Sequence, residues 1–155
     1  MEKCTLDRTR VQCFEGQATA EDYHRVLDFA LDYADCFSLT YHPFVKNPGL
    51  TVDDFRRSKW GFLADSIVDW EVTRETPTTT SEAQKLMLYF RFDPVTIDFL
   101  RQKRSIYDFN DRVTVAGDGT LYFEDLAFLK NGQVFFASCS HEGFCLIDET
   151  LYQKG

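Results

Sequence analysis

Cys139, His141 and Cys145 fall within seven residues and form the densest group of nucleophilic and metal-ligating side chains in the chain. A thiol beside an imidazole can be turned into a thiolate nucleophile, and two thiols with an imidazole supply three ligands of a tetrahedral zinc site. Cys36 and His42 make a second candidate pair. Neither group completes its chemistry in the sequence. There is no CxxC pair, no defined fourth ligand, and Glu142, the nearest group to orient His141, falls in a turn. GxSxG, HExxH, P-loop and GxGxxG patterns are all missing. Gly117-Asp118-Gly119 lacks the further acids and closing Glu of a calcium loop and reads as a turn. The expectation is a protein without catalytic residues, bound metal or cofactor. A Cys/His-dependent or metal-dependent enzyme, or a small-ligand-binding domain, stands as the alternative.

Carboxylates are the other patterned group. Asp28, Asp32 and Asp35 recur at helical spacing opposite an apolar stripe and make an acidic ridge, near the helix end where the dipole disfavours anions. Glu124 and Asp125 interrupt an apolar strand near the C-terminus, one hairpin away from His141 and Glu142. A carboxylate–imidazole hydrogen bond across that hairpin would lock it together. As a second role, these acids would present a contact surface to a partner.

The elements that must position these groups are legible in part. Thr19 caps a helix over Ala20–Cys36, with Tyr23, Val26, Leu27, Ala30, Tyr33, Ala34 and Phe37 along one face. The period then changes to two: Phe37, Leu39 and Tyr41 alternate with Ser38, Thr40 and His42 in a strand. A short helix follows Thr51 through Lys59. Ile67–Thr73 alternates again, with Val68, Trp70 and Val72 on one face and Asp69, Glu71 and Thr73 on the other. Leu86–Phe92 is almost continuously apolar and suits a central strand. Asp93-Pro94 then gives an N-cap and first helical residue, opening a helix to Lys103. Arg112–Ala116, Leu121–Leu129, Gln133–Cys139 and Phe144–Ile147 read as strands, with Asn131-Gly132 as a tight hairpin turn. Helices early and an antiparallel meander late predict an α+β fold, with residues 1–155 as one domain.

Composition narrows the function classes. The 155 residues carry 25 acids against 17 bases, a formal charge of −8, with 44% hydrophobic and 15% aromatic content. A packed core is expected, and no apolar run approaches a membrane span. The polar N-terminus and five irregularly spaced cysteines suggest a cytoplasmic chain with reduced, mostly buried thiols. Direct nucleic-acid binding is disfavoured by the net charge, although Arg56, Arg57, Lys59, Lys85, Arg91, Arg101, Lys103 and Arg104 gather in the middle. Those bases are expected to pair with acids such as Asp53, Asp54 and Asp98. Eight acids and four bases occupy residues 1–36, nine and ten occupy 37–104, and eight and three occupy 105–155. The negative excess therefore sits at the two ends of the chain. One acidic face results only if those ends adjoin.

The most distinctive stretch is Glu124-Asp125-Leu126-Ala127-Phe128-Leu129-Lys130-Asn131-Gly132, followed by Ser138-Cys139-Ser140-His141-Glu142-Gly143. It resembles a group of small bacterial proteins with an EDLxFL hairpin and a Ser-His-Glu turn, over about 20 residues. Small acidic bacterial proteins without catalytic motifs are similar to immunity proteins. That resemblance implies an inhibitor occluding a cognate toxin domain, a basic one such as a nuclease. The expected contact set is Asp28, Asp32 and Asp35 with Glu124, Asp125 and Glu142.

Overall fold

The computed structural model describes residues 11–15, 20–44, 51–57, 60–75, 80–106, 108–109, 111–114, 120–139 and 144–148. The fold is α+β. Eight strands enter one antiparallel sheet: β1 (Val11–Glu15), β2 (Cys36–Phe44), β3 (Ile67–Glu75), β4 (Thr80–Arg91), β5 (Asp111–Thr114), β6 (Thr120–Lys130), β7 (Gln133–Cys139) and β8 (Phe144–Asp148). Their order is β1-β8-β7-β6-β2-β4-β3, with β5 also paired to β6. The helices are α1 (Ala20–Tyr33), α2 (Val52–Arg56) and α3 (Pro94–Arg101), with a 3₁₀ turn over Gly61–Ser66.

The helices cover one face of the sheet. Tyr23, Val26, Leu27 and Ala30 of α1 are buried with Phe37, Leu39, Leu88, Phe90, Leu126, Phe128 and Phe136. This is the apolar stripe that the spacing predicts, and its burial holds α1 on the sheet. Phe29 and Tyr33 clasp the Phe135 ring edge-on, at 5.7 and 5.2 Å between centroids. Across the same core Phe55 of α2 meets Phe90 of β4. The opposite face buries a second cluster, including Cys36, Met87, Tyr89, Ala127, Leu129 and Leu146. Both faces being covered explains why LMLYFRF is apolar without alternation.

Several boundaries differ from the sequence expectation. Helix α1 stops at Tyr33 instead of Cys36, because Asp35 already donates its backbone N–H to the Leu129 carbonyl of β6. Helix α2 stops at Arg56, and a 3₁₀ turn follows that propensity alone does not announce. Gly61 permits it: a Cβ there would lie 1.9 Å from the Arg56 carbonyl oxygen. Strand β1 was absent from the sequence expectation; it forms the outermost pair with β8.

Two irregularities shape the sheet's middle. Between β2 and β6, Ser38 opposes Ala127 while Thr40 opposes Glu124, so β6 carries one extra residue. Asp125 takes it up in the left-handed region, at φ 63°. Ser138 Oγ donates to the Leu126 carbonyl at 2.9 Å, satisfying an acceptor beside the bulge. Here β6 changes neighbours, pairing β5 through Thr120–Phe123 and β7 through Ala127–Lys130. The Asn131-Gly132 turn forms as expected, with φ of 52° and 78°.

Candidate functional site

The thiol chemistry considered above is broken by sheet geometry. Cys139 opposes Phe144 and Cys145 opposes Ser138, so the two cysteines occupy successive positions of the ladder. Side chains alternate faces along a strand, which turns these two sulfurs to opposite sides of the sheet. They cannot ligate one ion. His141 lies outside the described residues, as does the structure of Glu142. Among the described residues no group of three His, Cys, Asp or Glu side chains is placed to hold a metal. Cys36, Cys139 and Cys145 are all buried. Burial, reinforced by Asp35 and Asp69, pushes the Cys36 thiol up to about 11 and keeps it protonated at neutral pH.

The acidic ridge divides once it is placed in the fold. Asp28 and Asp32 stand exposed on α1, and Asp28 lies 3.9 Å from Arg101 of α3. Asp35 is not on the helix at all. Its Oδ2 accepts the Asn131 N–H at 2.6 Å, and Lys130 Nζ approaches Oδ1 at 3.4 Å. The Asn131 hydrogen bond, with Lys130, outweighs partial desolvation and holds the Asp35 carboxyl below its usual range. Asp35 thus anchors the end of α1 to the β6–β7 hairpin. Asp125 is 5% exposed and occupies the bulge, so its carboxylate belongs to the interior and not to a docking surface. Glu124 is placed by its backbone in β6, opposite Thr40. The two acidic ends of the chain do adjoin, at Asp35 and Leu129, but Lys130 enters the junction. With Asp125 buried, the described side chains of the expected contact set leave Asp28, Asp32 and Asp35 exposed, the last of them tied to the β6–β7 hairpin.

Several of the middle bases meet acids among the described residues. Arg56 meets Asp65 at 2.9 Å, Arg91 meets Asp93 at 3.2 Å, and Arg104 meets Asp108 at 3.6 Å. Lys103 Nζ sits over the rings of Trp60 and Phe99, at 4.5 and 5.0 Å. Lys85 is buried.

The feature that sequence reading missed is the orientation of β3. Alternation there puts Val68, Trp70 and Val72 on one face without telling what covers it. They are 50%, 52% and 39% exposed, while Asp69, Glu71 and Thr73 are half-buried. The register explains it. Trp70 opposes Leu88 and Val72 opposes Leu86, both core residues on the helix-covered face, but β3 lies at the end of the strand order. The helical layer stops short of it. On the other face Glu71 accepts a hydrogen bond from Tyr89 of β4 at 2.7 Å. A bulge between Ile67 and Asp69 sets this phase, with Val68 as the extra residue. Phe62, in the 3₁₀ turn that leads into β3, is 56% exposed. A contiguous sequence run thus presents apolar side chains on one side and carboxylates on the other.

Compared with models of protein families, with curated proteins and with solved structures, the chain finds no match. No helix among the described residues is long and apolar enough to cross a membrane.

Proposed function

We propose that this chain is a binding protein, an immunity-type inhibitor that occludes a cognate, basic toxin domain. The observation that carries the reading is the exposed Val68, Trp70 and Val72 of β3. Exposed apolar side chains gathered on one element mark interaction sites more often than scattered ones do. Tryptophan is among the residues that most often dominate binding energy. The exposed carboxylates of α1 favour a basic partner through electrostatic complementarity. Asp28 and Asp32 act in this reading as steering charges, and Asp35 and Asp125 as structural ones.

The test is co-expression. A toxin domain encoded beside this gene is induced in bacteria with and without the chain. The reading expects growth to be restored by the wild-type chain and co-purification of the two proteins. Growth arrest that the chain leaves unchanged, with no complex recovered, overturns it.

A further inference from the structure

We draw no further inference here: the strongest candidate, the exposed apolar side of β3 with Phe62 of the 3₁₀ turn that leads into it, belongs to the site already described, and nothing in the structure shows what covers it.

Discussion

Thr40 shows how a single atom can be out of balance with its surroundings. Its hydroxyl, like that of Ser38, is buried in β2 with no hydrogen-bond partner among the described residues. A hydroxyl taken from water without compensation costs about 1–3 kcal/mol. Thr40→Val keeps the shape and removes the oxygen, so urea denaturation should give a midpoint corresponding to about 1 kcal/mol of added stability. Thr40→Ser should move it the other way. Asp35 is the opposite case, a carboxylate that its surroundings favour as the anion. Its folded pKa lies below the unfolded value, so its contribution is complete above the ordinary carboxylate range near ~4 and disappears as pH falls through the folded pKa. Asp35→Asn keeps the shape and abolishes the charge. Stability against pH should then fall less steeply through that acid window than in the wild type, with little difference in slope above pH ~6.

At the scale of elements, legibility followed the range of the interaction. Asp93-Pro94 forms the expected start of α3, and the structure adds a full capping box: Asp93 accepts from the Thr96 N–H, and Thr96 Oγ1 accepts from the Asp93 N–H, both at 2.9 Å. Ser66 Oγ also donates to Asp93, joining the 3₁₀ turn to α3. Burial opposes ionisation of this carboxyl, but Ser66, the Thr96 N–H and Arg91 outweigh it and hold its pKa low. Asp93→Ala should cost about 1–2 kcal/mol by thermal or urea unfolding, the range of a lost helix cap. The Asn131-Gly132 turn was readable for the same reason: two adjacent residues decide it. The bulge at Asp125 was not, since only pairing with β2 and the handover from β5 to β7 reveals the extra residue. Strand β1 escaped notice because five residues with mixed polarity gain their place from β8. For β3 the period was legible and its burial was not. Alternation tells which residues share a face, whereas only the sheet order tells whether anything covers that face.

At the scale of the whole molecule, the candidate contacts separate into two regions with different physics. Trp70 and Val72 lie on the terminal strand of the sheet, while Asp28 and Asp32 lie on α1, whose far end is tied to the β6–β7 hairpin. Strands β2 and β4 stand between that hairpin and β3. A contact desolvated at the centre of an interface controls chiefly how slowly a complex dissociates, and an exposed charge away from it controls how quickly partners meet. Joint charge reversal, Asp28→Lys with Asp32→Lys, should therefore slow association with a basic partner several-fold and flatten its salt dependence, because exposed charges are screened within a Debye length of about 8–10 Å. Dissociation should change little. Trp70→Ala should do the converse, speeding dissociation tenfold or more with association within about threefold of wild type. Stopped-flow or surface-plasmon measurements at two ionic strengths separate the cases. If the α1 reversal altered only the off-rate, α1 would be part of the packed interface, and the acidic ridge would have to be returned to the contact surface that its spacing first suggested.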